Sequence, residues 1–189
     1  MKATPVFSSQ GMLATYTYGE GKDIWLIHHW SKSSLELLPL IKKLARQGYC
    51  VHALDLPAHG CSEGTYTNII QMINAFDDFA DSSLMPETVI THGLGACVVA
   101  NSQFFQRYSN NLVMLNPRLN AVEVLHKVAD RYGISSGILM ELMKQLYRRY
   151  GVHLRDLDAT GKIAEFPGFV KVVEETAKIS TFNLSKQLA

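Results

Sequence analysis

Four short apolar runs, separated by segments with helical spacing, constrain the fold of this chain more than any other feature. The runs lie at residues 24–28, 50–54, 88–92 and 112–115. A short run without strict alternation is typical of a strand buried on both faces of a sheet. The intervening segments, including 67–80 and 95–108, carry apolar residues three and four positions apart, as amphipathic helices do. We therefore predict an α/β fold with a mainly parallel sheet and helices on both faces.

The pattern changes after Pro117. Residues 120–189 carry only helical spacing, with apolar stripes at 122–129, at 138–146 and at Val170, Val173 and Ala177. We predict two regions, a core over 1–117 and a helical cap or tail over 118–189. The sheet would then end at the strand 112–115 and leave an open edge, which natural proteins usually cover.

Composition and charge exclude several classes of function. The 189 residues carry 18 basic and 17 acidic side chains without a block of one sign, so nucleic-acid binding is not expected. No apolar run is long enough to span a membrane, and the N-terminus lacks a signal-peptide core. The three cysteines form no Cys-x-x-Cys pair, which argues against a disulfide framework or a zinc site. We expect a cytoplasmic protein with no metal and no cofactor.

Three local patterns follow the predicted strands in order. They are Leu-Ile-His-His-Trp-Ser at 26–31, Asp-Leu-Pro-Ala-His-Gly-Cys-Ser at 55–62 and His-Gly-Leu-Gly-Ala at 92–96. Together they resemble the α/β-hydrolase superfamily, in particular its monoacylglycerol lipase and esterase-like branch. The second pattern is the most specific, being similar to the family's Asp-x-Pro-Gly-His-Gly-x-Ser with Ala58 at the first glycine. The resemblance covers about residues 10–117 and implies a partial α/β-hydrolase core.

The third pattern lies where the family has its nucleophile elbow, Gly-x-Ser-x-Gly, but Gly93 stands at the serine position. Ester hydrolysis by this route needs a hydroxyl nucleophile, a histidine base and an acid. The resemblance implies that the acid and the histidine belong to two further core strands after the cap. We expect the chain to lack both strands, with residues 182–188 as the exit from the cap. No catalytic residue is therefore identifiable.

An anion site is predicted to survive at the elbow formed by His92, Gly93 and Gly95. The backbone N–H of Leu94 at a helix start and that of Trp30 on the facing loop would act as an oxyanion hole. His29, which replaces a family glycine, is predicted to line the mouth. We therefore expect a catalytically impaired, hydrolase-like protein that binds a small acyl or carboxylate ligand.

The remaining polar candidates are predicted to be structural. Asp55, His59 and Ser62 would shape their loop, while Cys97, one helical turn beyond Gly93, would be buried. One of His28 and His29 would lie against the sheet. The cap histidines, His126 and His153, would be unusual as catalytic bases.

Two other functions stay open. One is a truncated or altered form of a genuine carboxylic-ester hydrolase, and the other is a non-catalytic interaction module that self-associates through its sheet edge or helical tail. A dinucleotide-binding site at Gly93-x-Gly95 is disfavoured, because the third glycine and the ribose-binding acid are missing. A cap that stands above the elbow and leaves a cavity would favour a ligand site, whereas a filled cleft would not.

Overall fold

A seven-stranded sheet organises the chain in the computed structural model, which describes residues 3–174 together with Leu184 and Leu188. The strands are β1 (Ala3–Ser8), β2 (Gly11–Tyr18), β3 (Lys22–Ile27), β4 (Tyr49–Leu54), β5 (Thr88–His92), β6 (Asn111–Leu115) and β7 (Phe169–Val173). Their order in the sheet is β1-β2-β4-β3-β5-β6-β7. The pairs β1–β2 and β2–β4 are antiparallel, and every other neighbouring pair is parallel.

Helices cover both faces of this sheet. They are α1 (Leu38–Arg46), α2 (Ile69–Asp81), α3 (Gly95–Ala100), α4 (Gln103–Arg107), α5 (Ala121–Tyr132), α6 (Ser136–Tyr150) and α7 (Thr160–Ala164), with 3₁₀ turns at Ser34–Leu37 and Leu154–Leu157. Helix α1 packs on one face through Leu40, Ile41 and Leu44. Helices α2, α3 and α4 pack on the other, around a buried Trp25. The predicted α/β fold class is confirmed.

The helix predicted over 95–108 is two helices in the structure. Ser102 interrupts it with an extended backbone conformation and caps α4, because its hydroxyl accepts a hydrogen bond from the N–H of Phe105 at 3.2 Å. A serine in this role competes with helix continuation and starts a new helix instead. The break lets α4 turn back and bury Phe104 beside Trp25.

The prediction that residues 120–189 are all helical was wrong. Strand β7 runs parallel to β6, with Val170 beside Leu112 and Val173 beside Leu115. A three-residue separation fits one face of a helix, but on a strand it places the two valines on opposite faces. Val170 accordingly packs on the core around Trp25, and Val173 on the core around α1. The edge expected at β6 is therefore covered, while Ala177 and most of 182–188 lie outside the described residues.

Between β6 and β7 the chain forms a helical cap, here residues 116–168. Its longest helices, α5 and α6, are amphipathic, and only Ala121, Ala129 and Leu139 on them are buried. The cap thus ends before β7 rather than near residue 182. The division of the chain at residue 117 stays a prediction. Within the described ranges, no helix is long and apolar enough to cross a membrane.

Candidate functional site at the elbow

A tight turn joins β5 to α3 at the position predicted for the elbow. Gly93 has a φ of +53°, in the left-handed region that strains other residues by about 1–3 kcal/mol. Its N–H donates to the carbonyl of Leu115 at 3.0 Å, and its carbonyl accepts from the N–H of Arg118 at 3.0 Å. A Cβ on Gly95 would lie 2.8 Å from the carbonyl oxygen of Ile27, so a side chain does not fit there. A tight strand-to-helix turn is therefore present at the predicted position, with glycine at residues 93 and 95.

The ring of His29 fills the space into which a side chain at position 93 would project. A Cβ built on Gly93 would lie 2.2 Å from His29 Nδ1 and 2.6 Å from its Cγ. The same Nδ1 accepts a hydrogen bond from the N–H of Leu94 at 2.9 Å. His29 is therefore neutral with its proton on Nε2, and burial and the nearby cations of Arg118 and Lys32 lower its pKa.

This contact changes how the predicted anion site would work. The N–H of Leu94, one of its two expected donors, is already satisfied within the chain. A carbonyl or carboxylate oxygen would reach that N–H only if the His29 ring moved away. Trp30, the other expected donor, is half-buried and packs against the core around Trp25.

The cap stands above the elbow and leaves a cavity of about 250 Å³. Trp30 and Leu94 line it from below, Ile69 at the start of α2 closes one side, and α5 and α6 roof it. Among the lining residues are Val124, Leu142 and Leu146, so the walls are largely apolar. We call this space the apolar cavity.

A second cavity, of about 320 Å³, adjoins the first and shares Trp30 and Val124 with it. His29 and Ser31 line it on the core side, and Arg131 and Tyr132 at the end of α5 line it on the cap side. We call it the polar cavity. Its position beside the elbow depends on how α5 crosses the core, which is why the sequence pattern did not single out Arg131.

Two histidines near the elbow hold backbone groups. His28 is buried, with Nδ1 2.8 Å from the carbonyl of His29 and Nε2 2.9 Å from the N–H of Leu56. Burial lowers its pKa to about 4, so it is neutral at physiological pH. His59 Nε2 accepts from the N–H of Ser31 at 3.1 Å. Both histidines therefore hold loops in place through hydrogen bonds to backbone groups.

The Asp55 and Ser62 side chains shape the loop after β4. Asp55, 1% exposed, accepts hydrogen bonds from the hydroxyl of Tyr16 at 2.9 Å and from the N–H of Cys61 at 3.0 Å. Ser62 donates to the backbone carbonyl of Asp55 at 2.6 Å and accepts from the N–H of Ala14 at 2.8 Å. These contacts fit the loop-shaping roles predicted for them.

The remaining cysteine and histidine candidates lie in the core, beside His29 or in the cap. Cys97 is buried, its thiol donates to the carbonyl of Leu157 at 3.2 Å, and burial raises its pKa to about 12. His92 is half-buried beside His29, at 5.7 Å between ring centroids. In the cap, His126 is exposed and His153 stacks on Tyr147.

Comparison with known proteins supports the fold and leaves the family open. No protein-family model matches the sequence, and no curated protein matches it either. Among solved structures, the thioesterase domain from the curacin biosynthetic pathway is similar at a TM-score of 0.57 and 20% identity, over 64% of this chain and 46% of that one. The chain's architecture is part of an α/β-hydrolase fold.

Epoxide hydrolases show the same likeness. A laboratory-evolved variant of the potato enzyme matches at a TM-score of 0.55 and 22% identity, over 67% of this chain and 45% of that one. The enzyme from Vigna radiata matches at a TM-score of 0.54 and 20% identity, over 61% of this chain and 40% of that one. This chain thus spans less than half the length of these structures. At such identities the comparison describes the fold and not the chemistry.

Proposed function

We propose that this protein is a catalytically impaired α/β-hydrolase-fold protein that binds a small carboxylic acid with an apolar tail. The observation that carries the proposal is the His29 ring, which occupies the side-chain position at Gly93 and bonds the elbow N–H. A covalent acyl intermediate needs a nucleophile at that point. Removing a nucleophile from a catalytic triad forfeits about a million-fold in turnover, so hydrolysis is not expected.

The two cavities suggest the class of ligand. The apolar cavity offers aliphatic and aromatic walls to a short hydrocarbon chain, whose burial is favoured by about 25 cal/mol per Å². The adjoining polar cavity offers the guanidinium of Arg131 and the ring of His29, whose Nε2 carries its proton. A carboxylate between these groups would receive charge-assisted hydrogen bonds. The tail would lie under α5 and α6, and the head beside the elbow.

Binding is tested by isothermal titration calorimetry with hexanoate and with hexanamide, its neutral counterpart. We expect hexanoate to bind more tightly, and Arg131→Gln to weaken it about 10-fold while leaving hexanamide unchanged, because a charged hydrogen bond contributes about 1.5–3 kcal/mol. Arg149→Gln, which removes an exposed cap arginine outside both cavities, is the control. Equal affinities for the two ligands would overturn the carboxylate part of the proposal.

Hydrolysis is tested with short-chain p-nitrophenyl esters. We expect no turnover by the wild type, and none by Gly93→Ser alone, because the serine would meet His29. Turnover by the wild type that Leu94→Pro abolishes would contradict the impaired-enzyme proposal. Leu94→Pro removes the elbow N–H, so that result would place an unrecognised nucleophile beside it.

The alternative, an altered form of a genuine ester hydrolase, is favoured by β7. The resemblance assigns the triad acid and histidine to the last two core strands, and β7 is a core strand after the cap, followed directly by Glu174. The double variant His29→Gly with Gly93→Ser tests this alternative, since it supplies a hydroxyl and clears the space for it. Ester turnover by the double variant alone would support the alternative.

A further inference from the structure

Three side chains of types that can bind a metal lie together near the start of β3 and β4, at the end of these strands opposite the elbow. Cys50 and His52 are two residues apart on β4, so their side chains project from the same face. Asp23 on β3 is the neighbour of Cys50 across the parallel pair, and Thr17 on β2 is the neighbour of His52. Three adjacent strands therefore hold these groups together, which makes their separation a property of the sheet.

The ligand atoms converge on one point. His52 Nε2 lies 2.7 Å from Asp23 Oδ1 and 3.5 Å from Cys50 Sγ, and all three atoms lie within 4.8 Å of one another. Atoms that surround a tetrahedral zinc ion at 2.0–2.3 Å are about 3.3–3.8 Å apart. Small side-chain rotations would bring the cluster to that geometry.

The arrangement around His52 favours a metal over a nucleophilic triad. In a triad the acid and the nucleophile bond opposite nitrogens of the imidazole, so that the ring relays a proton. Here Asp23 and Cys50 both face Nε2, while Nδ1 lies 3.2 Å from the hydroxyl oxygen of Thr17. A metal on Nε2 would leave Nδ1 protonated and donating to the Thr17 hydroxyl, and a hydrogen bond from the second ring nitrogen is what orients a metal-bound histidine.

We propose that Asp23, Cys50 and His52 bind one Zn²⁺ ion, with water as the fourth ligand. A thiolate, an imidazole and a carboxylate form a donor set that suits Zn²⁺ and not Mg²⁺ or Ca²⁺. The two anionic ligands would balance the charge of the ion. The side chains of His52 and Asp23 are 30% and 39% exposed, so the ion and its water are accessible from solvent. This site is independent of the elbow and revises the expectation of no metal.

Metal binding requires that the Cys50 thiol lose its proton, because the thiolate is the ligand. A divalent ion would stabilise the thiolate and the carboxylate together.

The test is titration of the purified protein with Co²⁺, which substitutes for Zn²⁺ in tetrahedral sites. We expect one equivalent of Co²⁺ to produce visible bands of tetrahedral cobalt and a near-ultraviolet thiolate-to-cobalt charge-transfer band, all removed by added Zn²⁺. Cys50→Ser should abolish the charge-transfer band. Cys61→Ser, which alters an exposed cysteine on the loop after β4, should retain it.

Two further variants keep the test independent of folding defects in Cys50→Ser. Thr17→Val should retain the charge-transfer band and weaken Co²⁺ binding at least about 10-fold, as expected for loss of a histidine-orienting partner. His52→Gln should weaken binding further and change the visible bands. Absence of a charge-transfer band in the wild type, or a band that depends on Cys61 instead of Cys50, would overturn the proposal.

Discussion

The sheet core and the helical cap differ in how firmly their residues are held. The core buries the ring of Trp25 against those of Phe76, Phe79 and Phe104. Hydrogen bonds to Asp55, His28 and His59 hold the loops that follow β3 and β4. In the cap, α5 and α6 expose large apolar side chains such as Ile138, which is 64% exposed. The core is thus densely packed around buried rings, whereas the cap helices bury little of their own surface.

The largest difference between core and cap is expected in the free energy of unfolding of Trp25→Ala and Leu142→Ala. Trp25 is 2% exposed and contacts Phe76, Phe79 and Phe104, so its loss leaves a cavity and should lower the free energy of unfolding by about 4 kcal/mol. Leu142 on α6 is 42% exposed, and its truncation should cost about 1 kcal/mol or less. Urea denaturation measures both. Equal losses would show that the cap is as firmly packed as the core.

Acid should destabilise the core through His28. Its pKa of about 4 lies below the value of about 6.5 in the unfolded chain, so the unfolded state binds a proton first as pH falls. The free energy of unfolding should therefore fall by about 3 kcal/mol as the pH is lowered from 6.5 to 4, because the folded chain holds His28 neutral over that range. Urea denaturation across this range should show a flatter pH dependence for His28→Gln. His126→Gln, at an exposed cap position, should follow the wild type.

Alanine substitution at two glycines with similar backbone angles separates the cost of a steric clash from the cost of backbone strain. Gly60 and Gly133 have φ of +53° and +66°, but a Cβ on Gly60 would lie 1.9 Å from Asp55 Oδ2, whereas one on Gly133 meets nothing within 4 Å. We expect Gly60→Ala to lower the free energy of unfolding by more than about 2 kcal/mol, and Gly133→Ala by about 1 kcal/mol. Thermal denaturation of both variants checks this. A larger loss for Gly133→Ala would contradict it.

The smallest effect is expected within the cap. Gly137 lies in the first turn of α6, and a Cβ there meets only Ser135 Oγ at 4.0 Å. Gly137→Ala should stabilise α6 by about 0.5–1 kcal/mol by restricting the unfolded chain. Hydrogen exchange should show greater protection of α6 amides. If the protection also rises in β5, the cap and core unfold together; if it rises in α6 alone, the cap opens separately.

The sheet up to β6 was predictable because each of its buried strands is a short apolar run ended by a turn. The turn at the elbow was predictable because residues 92–96, between a buried strand and a helix, resemble the family's Gly-x-Ser-x-Gly turn. Strand β7 was missed, since Val170 and Val173 have a separation that both a helix and a two-sided strand allow. Strand β1, which is largely exposed, had no apolar run to mark it.

The site was only partly predictable for a different reason. Local sequence indicated His29, Trp30 and Leu94 as neighbours of the elbow, but not that the His29 ring would lie over Gly93. That placement depends on the direction in which the His29 side chain extends from the loop after β3 to the turn after β5. The contribution of Arg131 depends on the path of α5, and the Asp23–Cys50–His52 cluster on the register of β3 against β4. Registers and crossing paths arise from packing between distant segments.

The position of His29 also bears on how this chain can change. A serine at residue 93 would have its Cβ 2.2 Å from the His29 imidazole, so the substitution alone would destabilise the protein. A side chain at residue 93 therefore requires that residue 29 change first or at the same time. The two positions are therefore coupled: a side chain at residue 93 is expected to be tolerated only in a chain that carries a smaller residue at position 29.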